Sequence, residues 1–147
     1  MAYTKYFIKN DGGRSKWFDC TLKKNREIGD CVVRTIAIAT DIPYGVVWNE
    51  LFDRAKTIGH FPNNRIVYET YLKELGWVKH PPLRYNNRKI EIRDFIDMAT
   101  EQERIYAPMI ILTRGHITAL IDNKINDTWD CSDYCMNSYY QKESKND

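Results

Sequence analysis

The sequence lacks any apolar run long enough to cross a bilayer, and it begins without the apolar stretch of a secretion signal. A membrane-spanning helix needs roughly 20 consecutive apolar residues. We therefore expect no membrane partner and a cytoplasmic protein. The four cysteines, Cys20, Cys31, Cys131 and Cys135, would allow two disulfides. A chain without a leader is expected to meet a reducing compartment, so we expect free thiols.

The chain also lacks an excess of charge of either sign, and its cysteines lack the spacing of a zinc framework. With 22 basic and 20 acidic residues the net charge is +2, which gives no reason to expect a nucleic acid partner. Cys131 and Cys135 could join His60 or His80 at a metal, but no second Cys-x-x-Cys and no His pair accompanies them. We expect no metal and no cofactor.

Repeats and internal linkers are absent as well, which favours one folding unit. A chain of 147 residues with 43% hydrophobic content has the size of one ordinary domain. We expect a single domain over residues 1–141, followed by an unstructured polar tail over 142–147.

Hydrophobic periodicity predicts helices through the first two thirds of the chain. The predicted helices are the apolar run after Cys31, the segment between Asp41 and Gly59, the segment between Asn63 and Gly76, and Arg93–Glu103. The expected caps are Asp41 and Asn63 or Asn64, with Pro43 in a first turn. The expected inward residues are Val46, Val47, Leu51, Phe52 and Ala55, then Ile66, Val67, Tyr71, Leu72 and Leu75, and finally Phe95, Ile96 and Ala99. Short strands are predicted before these helices at Tyr3–Ile8 and near Trp17–Leu22.

After Ala107 the pattern changes to strands. Strands are predicted at Met109–Leu112, Ile117–Ile121, Lys124–Asp127 and Tyr134–Gln141, with a two-residue turn at Asp122 and Asn123. Helices first and strands afterwards predict an α+β fold, in which N-terminal helices with a central buried helix pack on a C-terminal antiparallel β-sheet.

A cysteine opens the most apolar of the predicted helices. The sequence Gly29-Asp30-Cys31 directly precedes that run. The first N–H groups of a helix have no partner within the helix, and the helix dipole favours negative charge there, so an ionised sulfur is stabilised. A cysteine in an apolar helix is otherwise most often a small buried hydrophobe. Arg34 is the one charge within this run, and we expect it to reach the surface or a carboxylate.

The predicted hairpin places a base and a carboxylate together. With a two-residue turn, His116, Asp127 and Trp129 project from one face, and Asp127 lies diagonal to His116. A slip of one residue would reverse this assignment. A cysteine on a helix followed by a histidine and a carboxylate on paired strands predicts Cys31 as nucleophile, His116 as base and Asp127 as the residue that orients the imidazole.

These motifs resemble those of the papain-like cysteine peptidases. That family has Gly-x-Cys at the start of a central helix, a strand histidine, and an Asn-Ser-Trp that Asp127-Thr128-Trp129 resembles. The resemblance implies that Trp129 shields the histidine hydrogen bond in the substrate cleft and that Asn25 serves in the oxyanion hole. The chain is shorter than papain, and the tryptophan that usually follows the cysteine is missing.

The resemblance implies a thiol hydrolase that acts on a protein or peptide, as a peptidase, isopeptidase or amidase. Acyl transfer and glutamine deamidation stay open, because the same three residues serve those reactions. The Asp-Cys-Val-Val-Arg segment is similar to a segment of small phage and bacterial proteins, which suggests a phage or bacterial origin. A phage-encoded protein would be expected in the host cytoplasm. The alternative is a catalytically silent binding module that sequesters a host protein or a nucleotide signal, and the reactivity of Cys31 separates the two.

Overall fold

A first strand is followed by four helices, and the second half of the chain is mostly strands, as seen in a computed structural model that describes residues 4–18 and 29–143. The helices are α1 (Arg14–Trp17), α2 (Cys31–Thr40), α3 (Tyr44–Ile58), α4 (Arg65–Glu74) and α5 (Ile92–Glu101). The strands are β1 (Phe7–Lys9), β2 (Trp77–His80), β3 (Arg84–Tyr85), β4 (Arg88–Lys89), β5 (Met109–Thr113), β6 (His116–Ile121), β7 (Lys124–Asp127) and β8 (Ser138–Lys142). Within the described ranges, none of the helices combines the length and apolarity that a membrane crossing needs.

Six of the strands form one mixed sheet in the order β1-β7-β6-β5-β8-β2, and β3 and β4 form a separate hairpin. The α+β class is confirmed. The prediction of a wholly antiparallel sheet is wrong at one edge, because β1 pairs parallel to β7. Phe7 lies opposite Ile125, and Lys9 lies opposite Asp127. A local sequence pattern predicts a strand but does not reveal which distant edge accepts it, and this edge lies at the other end of the chain.

Apolar residues that alternate along β5 and β6 face two different cores. On one face, Ile110, Ile117 and Ala119 pack with residues of α2, α3 and α4. On the other face, Met109, Ile111 and Leu120 pack with residues of α5, β1 and β7. Helix α2 is buried along most of its length and lies between the sheet and α3. The sheet therefore separates a layer of three helices from α5.

Two details of α3 and its start differ from the prediction. Pro43 is the N-cap of α3, whereas Asp41 ends α2 in the left-handed region at φ 61°. Val46 and Phe52 are exposed rather than inward, at 43% and 37% of their surface. Successive residues of a helix point about 100° apart around its axis. The predicted inward set contained the neighbours Val46 and Val47 and the neighbours Leu51 and Phe52, and only one residue of each pair lies on the buried face.

Helices α4 and α5 agree more closely with the prediction. Asn64 caps α4, where its Oδ1 accepts a hydrogen bond from the N–H of Ile66 at 3.0 Å. Ile66 itself is exposed at 54%, which corrects its inward placement. In α5 the predicted inward residues are buried. They are Phe95, Ile96 and Ala99.

The predicted strand near Trp17–Leu22 is wrong where it is described, because Trp17 ends helix α1. The Trp17 ring lies directly against Gly45 and leaves no room for a Cβ atom there, so contact with α3 fixes the position of Trp17. Residues 19–22 lie outside the described residues. The last predicted strand begins later than expected, and it includes Lys142. Strands β2, β3 and β4 were not predicted.

The turn between β6 and β7 has the predicted length and register. Ile121 pairs with Lys124, and Ala119 pairs with Asn126. Asp122 and Asn123 both have positive φ, at 51° and 61°, which is the backbone of a type I′ hairpin turn. The register places His116 and Asp127 on the same face of the sheet.

His116 follows a second tight turn, in which Gly115 is required. Thr113 of β5 pairs with His116, so only Arg114 and Gly115 lie between the strands. Gly115 has φ 78°, a conformation that costs other L-residues energy. The glycine therefore determines where β6 begins and presents His116 as its first residue.

We expect Gly115→Ala to lower the free energy of unfolding by about 1–2 kcal/mol, the cost of a side chain in the left-handed region. Gly115→Asn should lose less, because a short polar side chain tolerates that region. Urea unfolding of the two variants and the wild type measures the difference. Equal losses in both variants would show that the backbone conformation is not the cause.

Candidate active site

Cys31 is the first residue of α2 and carries a free, half-buried thiol. One turn further on, the hydroxyl of Thr35 donates a hydrogen bond to the carbonyl oxygen of Ile117 at 3.1 Å. Ile117 directly follows His116 at the start of β6. This bond holds the N-terminus of α2 beside the strand that carries the histidine.

His116 is hydrogen-bonded to Asp127 through its ring. The distance from Nε2 to Oδ2 is 2.8 Å, and the two side chains are 9% and 3% exposed. Burial alone would lower the pKa of His116, but hydrogen bonding with Asp127 and with two sulfurs raises it to about 11. The sulfurs belong to Cys131 and Cys31. Asp127 and Cys31 therefore both act on the pKa of this imidazole, which is protonated at neutral pH.

Both carboxylate oxygens of Asp127 have their own partners. Oδ1 accepts hydrogen bonds from Arg34 Nη2 at 3.2 Å and from the N–H of Thr128 at 2.7 Å. Oδ2 faces His116, and the sulfur of Cys131 lies 4.0 Å from it. Burial alone would raise the pKa of Asp127, but hydrogen bonding with His116 and the other donors holds it below its usual value. The carboxylate is therefore ionised at neutral pH.

Among the described residues, Arg34 forms ion pairs with the carboxylates of Asp30 and Asp127. Arg34 is 1% exposed, and its Nη1 bonds Oδ1 of Asp30. Asp30 also accepts bonds from Arg14 Nη1 at 3.0 Å and from the hydroxyl of Tyr44 at 2.8 Å. Asp30 occupies the N-cap position of α2, but its side chain makes no capping hydrogen bond, because it faces these donors instead. A buried ionic chain thus leads from the residue before Cys31 to the partner of His116.

Trp129 covers the histidine, where the sequence placed it. The centroids of the Trp129 and His116 rings are 4.8 Å apart at an angle of 41°. Tyr134 contacts the other part of the indole, with ring centroids 5.3 Å apart. The aromatic pair limits the access of water to the hydrogen bond between His116 and Asp127.

Cys131 was considered in the sequence only as a metal ligand, and its contact with the histidine was missed. Its side chain is fully buried, whereas that of Cys135 is exposed. Among the residues that the structure describes, one group has metal-ligand geometry, with its ligand atoms within 4.8 Å of one another: His116, Asp127 and Cys131. The Arg34 cation shares the same carboxylate, and His116 is already bonded to it, so these groups satisfy one another without an ion.

Asn25, the predicted oxyanion-hole residue, lies outside the described residues, as does Cys20. An apolar cavity of about 280 Å³ opens between α2, α3 and the segment before α4. It is lined by Gly29, Asp30, Val32, Val33, Trp48, Phe52, Phe61, Pro62 and Asn63. On the α4 side, burial and nearby charge, with a contribution from Cys31, raise the pKa of Tyr68 to about 12. The cavity lining includes the residues directly before and after Cys31 in the chain, Asp30 and Val32, but not Cys31 itself.

In comparisons with known proteins, no family model, no curated protein and no solved structure matches this chain. The chemistry of the site is therefore inferred from its geometry. A thiol at a helix N-terminus, an imidazolium and a buried carboxylate are the groups of nucleophilic catalysis by cysteine.

We expect the stability that His116 contributes to be complete below pH 6.5, its ordinary pKa, and to be lost as the pH rises toward 11. The slope cannot exceed ~1.4 kcal/mol per pH unit, the value for one proton. Urea unfolding of the wild type and of His116→Asn across this range measures it as the difference between the two proteins. Asp127 acts in the opposite direction, since its contribution is present above pH 3.8 and is lost as the pH falls through its lowered pKa. A difference that does not change with pH would contradict the assignment.

Proposed function

We propose that the protein is a papain-like cysteine hydrolase with Cys31, His116 and Asp127 as its catalytic triad. The observation that carries this proposal is the 2.8 Å bond between His116 Nε2 and Asp127 Oδ2. It leaves Nδ1 as the ring nitrogen for Cys31, whose sulfur contributes hydrogen bonding to the same ring. The imidazole then lies between the nucleophile Cys31 and the orienting carboxylate Asp127, which is the spatial order that thiol catalysis needs.

The thiolate of Cys31 attacks the carbonyl carbon of the substrate and forms a tetrahedral intermediate. His116 starts as the imidazolium and gives its proton to the leaving amine as the C–N bond breaks, which leaves a thioester on Cys31. The neutral ring then takes a proton from water, whose oxygen attacks the thioester. Release of the carboxylic acid frees the sulfur, and the ring keeps the proton, so the starting state returns. Asp127 stays ionised throughout and stabilises the charged ring.

The remaining parts of the site follow from the resemblance to papain-like enzymes. Asn25 and the backbone N–H of Cys31 would stabilise the oxyanion, and Trp129 shields the histidine hydrogen bond. The substrate is a protein or peptide carbonyl, and the reaction is that of a peptidase, isopeptidase or amidase in the cytoplasm, or in the host cytoplasm for a phage protein. Acyl transfer needs only an amine in place of water at the thioester.

We expect iodoacetamide to label Cys31 faster than Cys20, Cys131 or Cys135 near neutral pH. A free cysteine is only a few per cent thiolate at pH 7, so loss of the nearby imidazolium in His116→Ala should slow labelling of Cys31 by roughly 10- to 30-fold. Peptide mass spectrometry after timed alkylation measures each thiol.

Cys135 is the internal control for this labelling, because its thiol is free and exposed. In Cys31→Ala the fast phase should vanish while labelling of Cys135 stays the same. If Cys31 reacts no faster than Cys135 and His116→Ala changes nothing, the protein is a catalytically silent binding module.

We expect Asp127→Asn to slow the labelling of Cys31 less than Asp127→Ala does, because an amide oxygen can still accept the bond from the ring. Asparagine should not equal the wild type, since it has one acceptor where Asp127 receives donors on both oxygens. The same alkylation assay compares the two variants. Identical rates for both would show that the hydrogen bond to the ring has no role in activating the thiol.

A further inference from the structure

Arg34 connects the two halves of the candidate site. Its Nη1 bonds Asp30, the residue directly before Cys31, and its Nη2 bonds Asp127, the partner of His116. Asp30 and Arg34 are one helical turn apart, whereas Asp127 is 93 residues further along the chain. One guanidinium therefore joins the start of α2 to the end of β7.

The bridge also determines which oxygen of Asp127 is left for the ring. Arg34 and the N–H of Thr128 occupy Oδ1, at 3.2 Å and 2.7 Å. His116 bonds the other oxygen, Oδ2. A carboxylate that is held on one oxygen by two donors has little freedom to rotate about its side-chain bonds. The direction of Oδ2, and with it the tilt of the imidazole, is set by the donors at Oδ1.

We propose that Arg34 is a positioning residue that holds the Cys31 sulfur and the His116 ring in register, through Asp30 on one side and Asp127 on the other. This inference rests on the proposed function, because it concerns how the same triad is aligned. The bonds through which Arg34 would act are those to Asp30 and Asp127. Arg34 acts by fixing the residue that precedes the nucleophile and the residue that orients the base.

The chemistry of arginine fits this role better than that of lysine. The planar guanidinium presents donors in a rigid fork and can bond two carboxylates in fixed directions, whereas the ammonium of lysine is a compact charge on a flexible stem. The burial of three ionised groups is costly unless their geometry is good. Arg34→Lys keeps the charge balance of the cluster while it removes the fork.

The chain contains a matched control for this substitution. Arg54 also bonds a carboxylate one helical turn earlier, Glu50, at 2.6 Å, and a second carboxylate from another helix, Glu74. It lies away from the site and its side chain is 19% exposed. Arg54→Lys therefore removes the same fork from a bridge between two exposed carboxylates, without affecting the triad.

The experiment compares Arg34→Lys and Arg54→Lys by two measurements on the full chain. The first is the rate of Cys31 alkylation, which we expect to fall roughly 10- to 100-fold in Arg34→Lys, the usual effect of a small misalignment of reacting groups. The second is the proton NMR signal of the His116 ring Nε2–H, assigned by its loss in His116→Asn. This signal should lie far downfield in the wild type and should move upfield or broaden in Arg34→Lys. Both readouts should be unchanged in Arg54→Lys.

The two measurements separate the failure of this inference from the failure of the proposed function. If Arg34→Lys leaves the ring proton where it is in the wild type, Arg34 does not position the triad. If wild-type Cys31 shows no enhanced labelling, the proposed function fails, and the ring proton still decides the role of Arg34. Should Arg34→Lys not fold, Asp30→Asn provides the second test, since it keeps Arg34 and weakens one anchor. It should shift both readouts in the same direction by a smaller amount, and an unchanged ring proton would overturn the inference.

Discussion

The buried ion bridge from Asp30 through Arg34 to Asp127 is the constraint on which the rest of the site depends. Each of these side chains is at most 5% exposed. Removing an ion from water costs several kcal/mol, and a buried pair recovers this cost only when its partners are correctly placed. The start of α2 and the end of β7 must therefore lie where the guanidinium can reach both. Cys31 directly follows Asp30 and His116 bonds Asp127, so the bridge also fixes where these two residues lie.

The sheet brings the two sides of the molecule together at this point. Cys31 packs with the core that α2, α3 and α4 form on one face, and Cys131 belongs to the core on the α5 side. Both sulfurs contribute hydrogen bonding to His116, which lies at the start of β6. A side chain at the end of a strand can contact the cores on both faces of the sheet. The imidazole of His116 lies at such a position.

What could be predicted from the sequence was local. The helix after Cys31, the turn at Asp122 and Asn123, and the resulting alternation of faces depend on neighbours within a few residues, and these features appear as expected. The pairing of β1 with β7 and the strand β2 depend on distant edges, and they were not foreseen.

The same distinction applies to the residues of the site. Cys31, His116 and Asp127 were identified because their types and order match a known chemistry. Arg34 was noticed as a charge in an apolar helix, but its two carboxylates could not be named, since one of them lies 93 residues away. The spacing of Asp30 and Arg34 at one helical turn was the signal for the other. Cys131 left no such signal, because a buried cysteine resembles any small apolar residue.

The parallel edge strand β1 links the beginning of the chain to the site. Lys9 lies opposite Asp127, and the N–H of Asn10 donates to the carbonyl oxygen of Asp127 at 2.8 Å. Contacts between such distant segments form late in folding and open early at an edge. The backbone hydrogen bonds of Asp127 are thus complete only when β1 has paired with β7. In a partly folded chain without this pairing, Cys31 is present but the carboxylate that orients its partner His116 is not yet fully held.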